Sequence, residues 1–394
     1  MLRSNRLAAL LAALSLGACS SAPSAMVPNA TRGAATAPRM HPAEGANALP
    51  GEGANALPGA TLPCGFNPAQ GQANCTIAVN TTIPPLNDPT HPASLIPGLH
   101  PADLISAYAL PSNNAGRPIA IVDAYDDSTA EYDLNVYRAT FGLKPCTTSN
   151  GCFRKVNQTG GTSSYPSANS AWADEIALDI EMVSAACPNC PILLVEANSA
   201  SIDDLGSSVD EAYALGARAI SNSYYAFEWA GETSEDAHYH HNGAAITASS
   251  GDAAETFYPA ASPYVTAVGG TSLKGGSGSW TESGWSFAGG GCTSFEPKPS
   301  YQSGVNCDKR SSVDVAAIAD PQTGVATFAT SAGGWIVAGG TSVGAPLVAA
   351  GYALSGDLKG PGYSYGKRNA FHDVLPAGYD FRTGLGTPNG VAGL

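Results

Sequence analysis

Basic side chains are scarce in this chain. Lysine and arginine together number 18 against 32 aspartates and glutamates in 394 residues, charged residues make up 13%, and the formal charge at pH 7 is -14. A surface of that sign argues against nucleic acid as a partner. It suits a protein working in acid, where many carboxylates are neutral, although many surface-exposed bacterial proteins share it. Long apolar runs are missing as well: beyond residue 16 nothing approaches the roughly twenty residues that a membrane-spanning helix needs. None of the seven histidines stands in the His-Gly-Thr setting that would open a helix with a catalytic imidazole. His238, His240 and His241 fall in a polar stretch that reads as surface.

The first 18 residues read as an export signal, with Arg3 and Arg6 ahead of an apolar run over residues 7–16. The run ends in Leu16-Gly17-Ala18-Cys19-Ser20-Ser21, which resembles a bacterial lipobox and implies cleavage before Cys19 and a lipid on its thiol; an ordinary signal peptide cut nearby is the plainer alternative. Nine cysteines is an odd count for an exported chain, and setting Cys19 aside leaves eight. These fall in short-range couples, Cys64 with Cys75, Cys146 with Cys152, Cys187 with Cys190 and Cys292 with Cys307, which export favours as disulfides. Cys187-Pro188-Asn189-Cys190 could also be half of a zinc or redox site, but no second close ligand pair accompanies it.

Residues 20–63 are rich in alanine, proline and glycine and hold a tandem repeat, Glu44-Gly-Ala-Asn-Ala-Leu-Pro-Gly51 followed by Glu52-Gly-Ala-Asn-Ala-Leu-Pro-Gly59. Such a segment buries too little to offset its chain entropy and reads as a flexible tether. The expected organisation is a signal over 1–18, Cys19 and the tether over 19–63, an irregular lead-in over 64–98, and one globular domain over 99–394. Within that domain the pattern alternates: helix over 101–108, strand over 118–123, helices over 129–141 and 171–186, strand over 192–196, helix over 202–215, strand over 217–223, helix over 234–241 and strand over 244–249. Alternation of this kind implies an α/β fold, a mostly parallel central sheet with helices on both faces. Ligands bind at the carboxyl ends of such strands, where Asp123, Ser223 and Asp252 lie.

Three stretches carry candidate chemistry. Gly339-Gly340-Thr341-Ser342-Val343-Gly344-Ala345-Pro346 follows the apolar run Trp335-Ile336-Val337-Ala338 and precedes a helical one. Strand, glycine turn and helix would set Ser342 at a helix N-terminus, where free N–H groups and the dipole favour developing negative charge. Pro346 is expected in the first turn, where its missing N–H costs little. The plain alternative makes Ser342 only an N-cap. Glu175 and Asp179, four residues apart, share one helix face, where close carboxylates push their titrations apart so that one holds a proton while the other is ionised. A solvated acidic face is the bland reading. Ser249-Ser250-Gly251-Asp252 leaves a strand for a loop, either as a plain turn or with a neutral Asp252 able to donate a hydrogen bond to an oxyanion.

Together, Glu175-x-x-x-Asp179, Ser250-Gly251-Asp252 and Gly340-Thr341-Ser342-x-x-x-Pro346 resemble the sedolisin family of serine-carboxyl peptidases, from about residue 99 to the C-terminus. Ile119-Ala-Ile-Val-Asp-Ala124, Thr266-Ala-Val-Gly-Gly-Thr-Ser272 and Tyr379-Asp-x-x-Thr-Gly-Leu-Gly-Thr-Pro388 support it. The resemblance implies a subtilisin-like three-layer fold and an acid-active endopeptidase. Ser342 would be the nucleophile, Glu175 the base and then the acid, Asp179 the residue that orients Glu175, Asp252 the oxyanion donor, and Asp123 a carboxylate behind the pair. It also implies one calcium ion, for which Asp373, Val374, Gly378 and Asp380 match the family's pattern while the loop between them is shortened. Two further departures stand out: no large pro-segment fits between Cys19 and Leu99, and Ala253-Ala254 replaces the frequent Ser-Gly. The expected partners are protein or peptide substrates and a membrane through Cys19, with the chain a monomer.

Three other readings compete with this one. An Asp-His-Ser subtilisin-like enzyme lacks its histidine. Gly340-Thr-Ser-Val-Gly344 fits a Gly-x-Ser-x-Gly esterase elbow, with Asp357 and His372 in the right order, but too few residues follow for that fold. A catalytically silent surface binding protein on the same fold is the third.

Overall fold

The computed structural model describes residues 57–111, 116–356, 358–375 and 378–394. The export signal, Cys19, the tether up to residue 56 and Asp357 lie outside the described residues. In chain order the strands are β1 (Ala60–Thr61), β2 (Asn74–Cys75), β3 (Ala78–Asn80), β4 (Ile119–Ala124), β5 (Phe153–Asn157), β6 (Ile192–Ala197), β7 (Ala219–Asn222), β8 (Tyr224–Phe227), β9 (Ala245–Ser249), β10 (Phe257–Tyr258), β11 (Thr266–Gly276), β12 (Ser279–Gly284), β13 (Val315–Ile318), β14 (Val325–Ala329), β15 (Gly334–Gly339), β16 (Phe371–His372) and β17 (Thr387–Pro388). The helices used below are α1 (Pro101–Ala107), α2 (Ala130–Thr140), α3 (Ser170–Ala186), α4 (Ile202–Ala214) and α5 (Thr341–Ser355).

The central sheet runs β12-β11-β9-β7-β4-β6-β5, with β13 also paired to β11. All its pairings are parallel except β11 with β12. Strands β4, β6, β7, β9 and β13 are buried along their whole length, as continuous Ile/Val/Ala/Leu runs demand when both faces are covered. The chain leaves β4 for β5 and β6 on one side and then for β7 and β9 on the other, so the strand order reverses beside β4. Crevices at such a reversal, at the carboxyl ends of the strands, are where open α/β sheets hold ligands. Asp123 ends β4, and Ser223 directly follows β7.

Helix α3 packs against α5 over the sheet. Asn169 caps α3, its side-chain oxygen accepting from Ala171 N and Trp172 N, and Cys187-Pro188 stops it. The four cysteine couples are bonded, with Cα separations of 5.5, 4.8, 5.4 and 5.5 Å, so Cys187 and Cys190 form a bridge and not half of a zinc site. The segment over 232–239 is a 3-10 helix. Among the described residues no helix is long and apolar enough to cross a membrane.

The lead-in differs from expectation. Residues 64–98 are irregular over most of their length and tied by Cys64–Cys75, but they also contribute β2 and β3, so residue 99 is not a domain boundary. Strand β2 pairs antiparallel with β8, and β3 pairs antiparallel with β15 on one side and β1 on the other. The tether also ends earlier than residue 63, because Leu57 and Ala60 are buried with Trp285 and Ala319. Composition could not reveal this: strands of two or three residues carry no periodicity, and their partners lie far along the chain.

Candidate active site

Strand β15 hands the chain to α5 through Gly340, whose φ of 94° belongs to glycine. A Cβ on Gly340 would also stand 1.8 Å from the carbonyl oxygen of Thr76. Gly340, with no side-chain cap, is the N-cap; Ser342 is the second helical residue, and the capping reading of it falls away. Pro346 is the sixth residue of α5, inside the helix and not in its first turn. Its missing N–H leaves the Ser342 carbonyl without its intrahelical donor. Ser342 is wholly buried. Thr76 Oγ1 gives its proton to Ser249 Oγ at 2.9 Å, so in its short contact with Thr76 Oγ1 the Ser342 hydroxyl is the donor.

Helix α3 is buried on every side from Trp172 to Ala186, which removes the solvated-face reading of its acids. Glu175 and Asp179 are each 0% exposed, as is Asp123. Glu175 Oε2 accepts from Ile77 N at 2.7 Å, while Oε1 has no hydrogen-bond partner. Burial pushes the Glu175 carboxyl well above its ordinary range, and the Asp123 charge pushes it further; the neighbouring Ser342 hydroxyl and the Ile77 N–H pull back, and Asp252 adds to the rise. The Ser342 hydroxyl lies near enough to act on Glu175, but the full hydrogen bond goes to Thr76. Asp179 is raised by burial, then by Asp123 and by Glu175, with Ser223 opposing. Burial alone raises Asp123. An unpaired charge in such a place costs several kcal/mol or more, so the cluster retains protons where exposed carboxylates have lost theirs.

Asp252 faces the same point from the β9 loop. Its Oδ1 accepts from Thr341 N at 2.8 Å and from Thr341 Oγ1 at 2.9 Å. With Oδ1 committed as acceptor, a proton on Asp252 belongs on Oδ2, which has no partner. Burial raises this carboxyl to about 7, against the pull of the two Thr341 donors. Asp252 is therefore neutral in acid, with one O–H free to donate. The structure thus brings Asp123, Glu175, Asp179, Asp252 and Ser342 to one buried point. A hydroxyl, a proton-holding carboxyl pair and a neutral donor are the parts of an acyl-transfer site.

Of the expected calcium ligands, Asp380 has hydrogen bonds within its own turn and Asp373 is exposed. Asp380 Oδ1 accepts from Arg382 N at 2.8 Å and Thr383 N at 2.9 Å, and its Oδ2 accepts from Thr383 Oγ1, so its carboxylate closes its own turn. Val374 and Gly378 offer only backbone oxygens. Calcium takes six to eight oxygens, backbone carbonyls and waters among them, so the Asp373 and Asp380 carboxylates would supply only part of such a site. Among the described residues, the one cluster of three possible metal ligands is Asp203, Glu235 and His238, partly exposed and without any of these residues.

The described histidines have partners of their own. His238 and His241 meet Asp210, His91 meets Asp88, His100 meets the Ile96 carbonyl, His240 stacks on Tyr264, and His372 is exposed. Sequence reading missed Thr341 as the partner of Asp252 and missed residues 72–80 altogether. The β-branched run at Thr76, Ile77 and Val79 was the one available signal, and it says nothing about where the run docks.

No protein-family model matches the chain, and no curated protein matches it in sequence. Among solved structures it is similar to Pseudomonas sedolisin, a serine-carboxyl proteinase solved with two molecules of pseudo-iodotyrostatin, at TM-score 0.65 and 22% identity, over 75% of this chain and 96% of that one. It also matches the S41 psychrophilic protease at TM-score 0.49 and 18% identity, over 72% of this chain and 96% of that one. Fervidolysin from Fervidobacterium pennivorans, a keratinolytic enzyme related to subtilisin, matches at TM-score 0.45 and 17% identity, over 72% of this chain and 42% of that one. The chain has the subtilisin-like three-layer α/β fold that sedolisin has.

Proposed function

We propose that this protein is an exported serine endopeptidase that cuts peptide bonds in acid. The observation that carries the reading is the burial of Glu175 beside Ser342, with the partnerless oxygen of Asp252 near both. With the proton of the Glu175–Asp179 pair resting on Asp179, Ser342 Oγ attacks the substrate carbonyl and the ionised Glu175 takes its proton. Glu175 then hands that proton to the departing amine, and a water repeats the sequence on the ester. Asp179, one turn along α3, orients Glu175 and shares its proton load, while Asp123 keeps the pair's affinity for protons high. Asp252 donates from Oδ2 to the oxyanion. Four disulfides support export, and a lipid on Cys19 belongs to the same proposal.

Digestion of a denatured protein from about pH 3 to about pH 8 tests this, comparing wild type with Ser342→Ala. Cleavage is expected to peak in acid and to vanish in the variant; cleavage that survives the substitution, or that peaks in alkali, sinks the reading. Asp252 supplies a second check. Asp252→Ala is expected to lower turnover by about 10²–10³-fold. Asp252→Asn should lose less, because an amide nitrogen in the place of Oδ2 still donates while the amide oxygen accepts from Thr341. Equal losses for the two variants would remove Asp252 from the oxyanion role.

A further inference from the structure

Residues 72–80 run through the crevice as an added strand. Upstream, Asn74 and Cys75 pair antiparallel with Tyr225 and Tyr224, and Thr76 N donates to Ser223 O at 3.3 Å. Downstream, Ala78 and Val79 pair antiparallel with Gly339 and Ala338, just ahead of Ser342. Main-chain pairing on both sides of a site is how an extended peptide is held by a sheet edge. It leaves one peptide bond, Thr76–Ile77, at the centre.

Each candidate group addresses its own part of that bond. The Ile77 N–H donates to Glu175 Oε2 at 2.7 Å, where a leaving amine must collect its proton. The Thr76 carbonyl oxygen lies against Gly340 beside Asp252: a Cβ at Gly340 would be 1.8 Å from that oxygen and 2.7 Å from Asp252 Oδ2. The Ser342 hydroxyl is held by the Thr76 side chain on the same residue as the carbonyl. Thr76 is 1% exposed and Ile77 0%, so no other peptide reaches Ser342 while the segment stays in place.

We infer that residues 72–80 are this protein's first substrate, bound in its own crevice, and that Ser342 cuts the Thr76–Ile77 bond within the same molecule. The inference rests on the peptidase reading above. Ser342 Oγ turns from Thr76 Oγ1, attacks the Thr76 carbonyl carbon and passes its proton to Glu175. The C–N bond breaks as Glu175 protonates the Ile77 nitrogen, leaving Thr76 as an ester on Ser342. Water then gives one proton to Glu175, its oxygen joins the Thr76 carbonyl carbon, and Ser342 departs with a proton returned from Glu175. One water is consumed, and the products are a Thr76 carboxyl and an Ile77 amine. Cys64 and Cys75 both precede the bond, so their disulfide does not tie the two pieces together. The cut breaks the covalent link between the catalytic unit and everything upstream, Cys19 included, and the crevice opens to other peptides as the cut strand withdraws.

The test is intact mass and N-terminal sequencing of the full chain after a shift to acid, with Ser342→Ala alongside. A new N-terminus at Ile77 is expected in the wild type alone. Its rate constant should stay the same, within about twofold, over a hundredfold dilution, because the step is unimolecular. Digestion of an added denatured protein should lag until this cut is made. A rate that scales with concentration, or a first cut at another bond, overturns the inference. A chain that digests the added protein while Thr76–Ile77 stays intact overturns it and leaves the peptidase reading standing. A chain that cuts neither itself nor the added protein sinks both.

Discussion

Replacing Ser342 with alanine, or Glu175 with glutamine, is expected to lower the acid turnover of a denatured protein by at least about 10⁴-fold, and replacing both should cost little more. The two side chains perform one proton-coupled attack, so once either is gone the other has no step to assist. Only binding and the Asp252 donor then remain to help the reaction. Glutamine nearly matches glutamate in shape, and its carbonyl oxygen can still accept from Ile77 N in place of Oε2. It also removes one acid from a cluster in which Asp123 already works against ionisation. Glu175→Gln should therefore melt no lower than wild type at neutral pH while its turnover collapses. Turnover within tenfold of wild type would remove Glu175 from the chemistry. Losses that multiply in the double variant would mean that the two residues act in separate steps.

The second large effect is on stability: the Ser342→Ala protein, which cannot digest itself, is expected to melt at least about 10 °C higher at about pH 4 than at about pH 8. Most folded proteins lose stability in acid; here the sign reverses because the buried acids are predominantly unpaired. Burial raises Asp252 to about 7, Glu196 and Glu296 to about 8, and Glu232 to about 9, and it raises Asp123, Glu175, Asp179 and Glu181 as well. A carboxyl of this kind binds its proton more tightly folded than unfolded. Its contribution is complete below the unfolded value near 4 and is lost as the pH climbs through the folded value. Asp252 alone, moving from 3.8 to about 7, corresponds to on the order of 4 kcal/mol. For a unit of this size each 1 kcal/mol moves the midpoint by about 1–2 °C. A midpoint that is flat or rises between those two pH values, by calorimetry, would mean that these acids are not kept protonated.

Local pattern was enough to read much of this protein. The apolar run over residues 171–186 led to α3, and the alternation of strands and helices led to a mostly parallel sheet, because 3.6-residue periodicity, caps and continuous β-branched runs act over a few residues. Glu175, Asp179, Asp252 and Ser342 were legible for the same reason: each sits in a short stretch whose local form, a helix face or a strand end, limits what it can do. Local form misled where an element is too short to carry a pattern, as at residues 64–80.

Tertiary structure alone decided what reaches Ser342. Thr76 lies 266 positions away along the chain and Glu175 lies 98 from Ile77, yet they meet because β2 and β3 complete sheet edges laid down by β8 and β15. Edge pairing is specified by unfilled backbone hydrogen bonds, which every residue except proline carries alike, so nothing in residues 72–80 announces where they dock. Burial was settled the same way: the acids of α3 read alike on a wet or a dry face, and the packing of α3 against α5 and the sheet is what raises their proton affinity.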